Sequence, residues 1–498
     1  MLIAGMDIGS TNCKVVLYDT EGNLWQKFSR PCPLQRHDGY QELDAEDVWQ
    51  AVAGCLADAF ASCRDIGAIA VTSFGESFVV LDAEDAPLFP VMLYGDPRGG
   101  EQAARMQREL PADEVAATVG VPLHPMYSLP KLLWLKENHP EVFRRARRIL
   151  LMQDYIVYRL SGVAQIDYSL ASRTAAFSIR KKVWCKELLS YVGIPESLFS
   201  RPAPSGTVAG NLRHSLATEW KAAQEVLIVS GCHDQVAAAL GSGLFAPGTA
   251  VDGAGTVECM TPILDSFPDS QLLAQGGIAV VPYVLPEKYV CYAFSFTGGA
   301  LLQWYCRNFA RQEMEASQKE GRSVHDLMEA GMSASPGTLF VLPHFNGAAT
   351  PYMDEGAKGA ILGLSLEHSG KDVYKAMMEG VAYEMEVNRR YLLRAGICVQ
   401  SLRTSGGGAK SALWTQIKAD VLGVPVTSMR TEEAGATGSA MLAACAVGCF
   451  QDLQEAAACF VHERNTYEPN KARNAIHAER FARYSPLYSM MKSFREEG

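Results

Sequence analysis

The sequence predicts an α/β chain of two similar lobes facing a cleft, on three observations. A short apolar run, Leu2 to Met6, ends in Asp7-Ile8-Gly9-Ser10-Thr11-Asn12-Cys13-Lys14, and a related turn, Asp252-Gly253-Ala254-Gly255-Thr256-Val257-Glu258, follows Gly248 to Val251 about half-way along. After each turn a second β-type run heads back, Val15 to Tyr18 and Cys259 to Leu264. The 498 residues, 48% of them hydrophobic, leave room for two large domains with sizeable cores. At both bends small and hydroxyl-bearing residues expose backbone N–H groups that can cradle phosphate oxygens.

The elements follow in order. Thr20-Glu21-Gly22-Asn23 supplies a turn and Leu24 to Phe28 a third strand, so the opening reads as an antiparallel meander. Asp44 is placed to cap a helix whose apolar stripe is Val48, Ala51, Val52, Cys55 and Leu56. Ile66 to Val71, Phe78 to Leu81 and Leu88 to Leu93 read as strands, and the loops between them are where chemistry is expected. Arg201-Pro202-Ala203-Pro204-Ser205-Gly206-Thr207 marks a loop before the strand Glu225 to Ser230. Ala246-Pro247-Gly248 separates the halves, giving an N-terminal domain over 1–246 and a C-terminal domain over 247–498. In the second half, Lys371 to Arg394 is the strongest helix, with a core stripe of Val373, Met377, Val381 and Met385.

Charge and composition narrow the function. A formal net charge of −10 and the lack of long basic blocks argue against a nucleic-acid or anionic-membrane partner. Arg144-Arg145-Ala146-Arg147-Arg148 reads as a solvated helix face. No apolar run approaches the roughly eighteen residues that span a bilayer, and the chain enters a strand pattern at once, so the expected compartment is the cytoplasm. Thirteen cysteines without a Cys-x-x-Cys pair fit reduced, mostly buried thiols, and Cys445 and Cys449 fit core packing.

The candidate chemistry lies in three glycine- or hydroxyl-rich turns, Asp7 to Lys14, Gly253 to Thr256 and Ser405 to Lys410, which suggest a nucleotide threaded between the lobes. Other nucleotide signatures fail. Gly370-Lys371 is followed by Asp372, which breaks the P-loop pattern, and Glu258 stands where a dinucleotide fingerprint needs its last glycine. Gly231-Cys232-His233-Asp234-Gln235 follows a strand and opens an alanine-rich helix, so Asp234 is expected near a helix N-terminus, ionised, either as a cap or as an acceptor of a hydroxyl proton.

Longer segments then resemble the FGGY carbohydrate kinases. Met126 to Asn138 resembles one family signature; Gly359 to Leu364, followed by Asp372 to Gly380, resembles a second; Ser405 to Trp414 resembles the adenosine segment. The resemblance implies two actin-like ATPase (ribonuclease H-like) domains flanking a catalytic cleft, ATP and Mg²⁺ as cofactors, a small-molecule sugar as partner, and lobe closure on sugar binding. A homodimer is compatible with it. It implies Asp234 as catalytic base with Gln235 as a substrate contact, and Asp7 as the carboxylate near the metal. Ser10, Thr11 and Lys14 match the first phosphate loop, Gly255 and Thr256 the second, and Gly407, Gly408, Ala409 and Lys410 the adenosine site.

For the sugar it implies Phe74, Glu76, Asp96 and Arg98, the alternative for Glu76 and Asp96 being a surface salt bridge. Leu342 to Pro351 is similar to xylulokinases, whereas Val71 to Gly75, Gly255 to Glu258 and Lys131 to Pro140 are closer to L-fuculose kinases. The expected activity is phosphoryl transfer to a ketose, D-xylulose first. L-fuculose, another deoxyketose, a polyol or gluconate is the alternative, and a catalytically quiet nucleotide or sugar sensor is the alternative of another class.

Overall fold

The computed structural model describes residues 1–268 and 270–496. The first lobe is built on β1 (Leu2–Ile8), β2 (Asn12–Tyr18), β3 (Leu24–Pro31), α1 (Ala45–Ser62), β4 (Ile66–Ser73), β5 (Val208–Asn211), β6 (Leu227–His233) and α2 (Asp234–Gly241). Its six strands lie in the order β5-β6-β4-β1-β2-β3, with β1, β4 and β6 parallel and β2, β3 and β5 antiparallel to their neighbours. Alternation along β1 sorts the faces. Ala4, Met6 and Ile8 pack with Val48, Val52 and Leu56 of α1, while Ile3 joins the core on the other side. Asp44 caps α1 by accepting from the amides of Glu46 and Asp47.

The second lobe repeats the plan. It uses β7 (Thr249–Ala254), β8 (Glu258–Leu264), β9 (Ala279–Pro282), β10 (Tyr289–Ser295), α3 (Gly299–Phe309), α4 (Gly370–Arg394), β11 (Ser401–Ser405), α5 (Ala412–Leu422), β12 (Val426–Met429), α6 (Ala434–Ala446) and β13 (Glu463–Tyr467). The sheet order is β9-β10-β8-β7-β11-β12-β13, again with a parallel trio, β7, β11 and β12, beside an antiparallel meander. Register makes the repeat explicit. Asp7 lies opposite Thr72 on the neighbouring parallel strand, and Asp252 lies opposite Thr404 in the same relation.

The lobes meet where the helices after β6 and β12 cross. A Cβ on Gly438 of α6 would sit 2.0 Å from the carbonyl oxygen of Ala237, and one on Gly241 of α2 would sit 2.0 Å from that of Ala434. Gly5 of β1 is as tightly covered, 1.9 Å from the Ala436 oxygen. Although α6 belongs to the second half by sequence, it lies across the sheet of the first.

Two expectations change. Of Leu88 to Leu93 only Val91 and Met92 pair as strand, because Pro87 and Pro90 remove ladder donors. The arginine run is not one helix face: a helix ends at Arg145 and a strand starts at Arg148, with Arg145 paired to Asp82 and Arg148 to Asp85. All thirteen cysteines are free. Among the described residues no helix is long and apolar enough to cross a membrane.

Candidate active site

Asp234 is the first residue of α2, with His233 in the cap position, so the pure N-cap reading does not hold. Its side chain is 31% exposed, and its Oδ1 accepts from the Gln235 amide at 2.6 Å. The sequence leads one to expect an ionised group; instead burial, reinforced by the negative charges of Asp7 and Glu76, pushes the carboxyl up to about 8. One amide bond at the helix start is outweighed. His233 sits beside it, Nε2 3.2 Å from Oδ1, and is held neutral by burial and by the Arg173 charge. Its Nδ1 lies 3.0 Å from the Tyr292 hydroxyl, which comes from β10 of the other lobe.

The segment expected to face the sugar follows β4. Phe74 and Glu76 are buried, and Glu76 adopts a left-handed φ of 65°, a strained backbone of the kind found at ligand sites. The Arg173 Nε donates to Glu76 Oε1 at 2.6 Å, and Arg173 Nη1 is buried without a partner. Glu76 is therefore in a buried ion pair, not a surface one. A larger residue at Gly75 would push Arg173 or His233 aside, since a Cβ would fall 2.9 Å from Arg173 Cγ and 3.1 Å from the His233 ring.

Asp96 and Arg98 make a fork of two 2.7 Å bonds. The Arg98 and Gln41 amides complete four bonds to Asp96, filling its acceptor positions. Arg98 also reaches Glu42 at 2.7 Å and lies over the Tyr40 ring. With no acceptor left over, Asp96 and its arginine shape the loop; the geometry does not favour direct sugar contact by this pair. Lys131, from the first family-like segment, is fully buried and donates to the Asp96 carbonyl, and burial lowers it to about 8. Gln235 reaches towards the second lobe, its Oε1 3.8 Å from where a Cβ on Gly253 would be.

Both turns expected to hold phosphate present accessible residues. Ser10 is half-buried and Thr11 exposed, while Gly255 and Thr256 are exposed. The Gly255 and Thr256 carbonyls accept from the amides of Gly299 and Gly298, which pins the second turn to the start of α3. The third turn touches the second: a Cβ on Gly406 would lie 2.8 Å, and one on Gly408 3.3 Å, from the Ala254 carbonyl oxygen. A Cβ on Gly407 would meet nothing within 4 Å. Ala409 is buried and Lys410 is exposed, paired with Glu432 at 2.9 Å. Lys14 is half-buried, not a bare strand-end lysine, and is paired with Glu433 at 2.7 Å.

Asp7 lies opposite Lys14 across β1 and β2, and its carboxylate is 3.1 Å from where a Cβ on Gly435 would stand. Burial raises it to about 6, against the pull of Lys14 and with help from Glu433. Its counterpart Asp252 is fully buried and accepts from Lys418 and from the Thr404 hydroxyl, both at 2.8 Å. Lys418 also donates to Glu258, which burial and the nearby Asp252 drive strongly towards the neutral acid. The equivalent aspartates thus differ. Asp7 is partly exposed and acts on Asp234; Asp252, with Glu258 and Lys418, is a buried prop beneath the second turn.

Sequence reasoning missed Arg173, Tyr292, Lys418 and the Glu432-Glu433 pair, all distant in the chain from the residues they touch. Only the two adjacent glutamates before a Gly/Ala-rich helix offered a local signal.

Comparison with known proteins agrees with this architecture. Residues 2–241 match the profile described as FGGY family of carbohydrate kinases, N-terminal domain, and residues 259–447 match the C-terminal domain. A xylulose kinase of Bacillus subtilis (strain 168) is 27% identical over 506 residues, covering 99% of both chains. A glycerol kinase of Geobacter sp. (strain M21) is 31% identical over 491 residues, covering 95% of both. The crystal structure of a "xyloylose kinase" from Brucella ovis superposes with a TM-score of 0.88 at 26% identity, covering 99% of this chain and 100% of that one.

Proposed function

This chain belongs to the FGGY family of carbohydrate kinases, and on that premise we propose that its acceptor is a linear ketose, D-xylulose first. The observation that carries the choice is the full-length likeness to the Bacillus subtilis xylulose kinase. The chain is an ATP-dependent sugar kinase, and its own residues account for the transfer. Asp234, placed by α2 at the floor of the cleft, accepts the proton of the attacking hydroxyl as the hydroxyl oxygen bonds to the γ-phosphorus and the bond to the β–γ bridging oxygen breaks. A weak base suffices, because the loose transition state releases that proton late. Ser10, Thr11, Gly255 and Thr256 bind the phosphate chain through hydroxyls and amides, Lys14 supplies charge, and Gly407, Gly408, Ala409 and Lys410 line the nucleoside side. Glu76, oriented by Arg173, and Gln235 hold sugar hydroxyls, with Phe74 as apolar backing; Asp96 and Arg98 fix the loop around them.

Asp7 fits a magnesium site. It is a carboxylate with no direct hydrogen-bond partner among the described residues, raised by burial and by Glu433, and its charge is felt by Asp234. Among the described residues no three acidic, histidine or cysteine groups cluster as a metal cage. Bound there, the ion would neutralise phosphate charge.

A glycerol-type polyol is the second reading, favoured by the Geobacter relative and by Glu76. An L-fuculose-type sugar follows from Val71 to Gly75 and Gly255 to Glu258. ADP release measured with ATP and Mg²⁺ against D-xylulose, other pentuloses, 6-deoxyhexuloses, gluconate, glycerol and erythritol separates these. Fastest turnover on D-xylulose is expected. A clear preference for glycerol or gluconate would overturn the ketose reading, and nucleotide binding without any turnover would favour the sensor.

A further inference from the structure

The two lysines assigned to the nucleotide have carboxylate partners on consecutive residues. Lys14 of β2 donates to Glu433 Oε2 at 2.7 Å, and Lys410 pairs with Glu432 at 2.9 Å. A third lysine completes the arrangement. Lys27 of β3 donates to Glu433 Oε1, also at 2.7 Å, so each oxygen of one carboxylate carries one lysine. Glu433 is 10% exposed, Lys14 34% and Lys27 47%. Burial alone would raise the Glu433 carboxyl, but the two lysines outweigh it and hold it below its usual range.

We propose that Glu433 is a positioning residue for nucleotide handling: it parks Lys14 beside the first phosphate turn and yields it to the phosphate chain, while Lys27 stays behind as the counter-charge. The inference rests on the reading of Lys14 as a phosphate contact. Three features support the exchange.

A half-buried carboxylate stripped of its only partner is costly, and Lys27 prevents that when Lys14 leaves. The mobile partner must be the lysine, since the Glu433 backbone is pinned: its amide donates to Thr431, its carbonyl accepts from the Thr437 amide, and the Thr437 hydroxyl lies 2.9 Å from that of Tyr18 on β2. Lys14, by contrast, carries its charge on a flexible four-carbon stem and can swing without moving β2. Two lysines also share the one Glu433 carboxylate, one on each oxygen, so the bond that holds Lys14 is a shared one and easier to exchange for a phosphate oxygen.

Mere field effects and exchange are separated by a mutant cycle on the full-length enzyme, read as the Kd of ADP with Mg²⁺ by calorimetry and the KM for ATP. Lys27→Met leaves Lys14 as the sole partner of Glu433 and weakens ADP by about fivefold, within the reach of a part-exposed ion pair. Glu433→Gln frees Lys14 and tightens ADP by about as much, lowering kcat through slower product release, with sugar KM unchanged in both. The double variant behaves as Glu433→Gln alone, because Lys27 acts only through Glu433. In a Lys14→Met background neither change has an effect. Additive effects in the double variant, or effects that persist without Lys14, would overturn the proposal. Lys27 lies on an exposed strand, so its arm of the cycle is readable even if Glu433 variants fold poorly. If Lys14→Met alone leaves ATP and ADP binding unchanged, the reading of Lys14 fails, and the exchange falls with it.

Discussion

Replacing Asp234 by asparagine removes the proton acceptor while keeping the shape of the residue that opens α2. Burial and the charges of Asp7 and Glu76 put the wild-type carboxyl at about 8. Raised from the ordinary carboxylate value, the group is mostly protonated at neutral pH and becomes competent as pH rises. By that value about a tenth of the protein is ionised at pH 7 and about nine tenths at pH 9, so kcat/KM, which reports the free enzyme, rises nearly tenfold across that window. Losing a general base costs on the order of 10²- to 10⁴-fold. The assay is coupled ADP release at subsaturating sugar and ATP from pH 6 to 9.5, for wild type and Asp234→Asn, with ADP affinity measured alongside. The variant is expected to bind ADP normally, turn over at least about a hundredfold more slowly, and lose the acid limb. A variant above a tenth of wild-type turnover, or one that keeps the limb, refutes Asp234 as the base. A saturated enzyme carrying magnesium should show its limb at lower pH, since a cation near Asp7 offsets part of the repulsion.

Stability should run the other way from activity. Asp234 and Asp154 are raised to about 8 and Asp7 and Asp167 to about 6, so the folded chain keeps protons that the unfolded chain has lost, whereas His233 and His477, held low by burial, act the opposite way below about pH 6.5; the uncompensated fall in stability lies between about pH 6.5 and 8.5. Melting without metal or nucleotide tests this: Tm should drop between about pH 6.5 and 8.5, and Asp154→Asn, which replaces a carboxyl with one buried unpartnered oxygen, should flatten the drop. Asp96→Asn breaks the fork to Arg98 and should raise the sugar KM at least tenfold with the ATP KM unchanged, at a cost of about 3 kcal/mol in urea unfolding. Equal changes in both KM values would count against a sugar-side role. Gly5→Ala drives a methyl group into the Ala436 carbonyl and should destabilise by about 3 kcal/mol or lock the protein in the insoluble fraction.

Much of this was legible in the chain because it is local. The paired turns, the meanders and the capped helix after Asp44 announce themselves through spacing and turn chemistry, and Asp234 through the strand and helix on either side of it. What was not legible depends on groups hundreds of residues apart. The Asp234 position near a helix start was readable, but not the crowding by Asp7 and Glu76 that reverses its expected ionisation. Lys14 stands out in the chain by the turn it closes, yet its partner lies 419 positions away. Asp96 and Arg98 look like ligands in a linear reading, and only the fold reveals that they use up each other's bonding capacity. Asp7 and Asp252 look alike in sequence and separate only when Lys418, from a distant helix, closes over one of them.

The crossing of α2 and α6 has a mechanical consequence. Glycines at 241 and 438 bring backbone against backbone with no side chain between, so neither helix can slide or retreat without opening a void or a clash. Any relative motion of the lobes would therefore be a turn about that junction, with displacement growing with distance from it. Asp234 begins one of these helices and Glu433 directly precedes the other, so both stand close to the axis. In such a turn the outer rim would travel farthest, and the backbone that carries the proton acceptor and the Glu433 carboxylate least. The mouth could then widen for a substrate with little change in the separation of the groups set by those two helix starts.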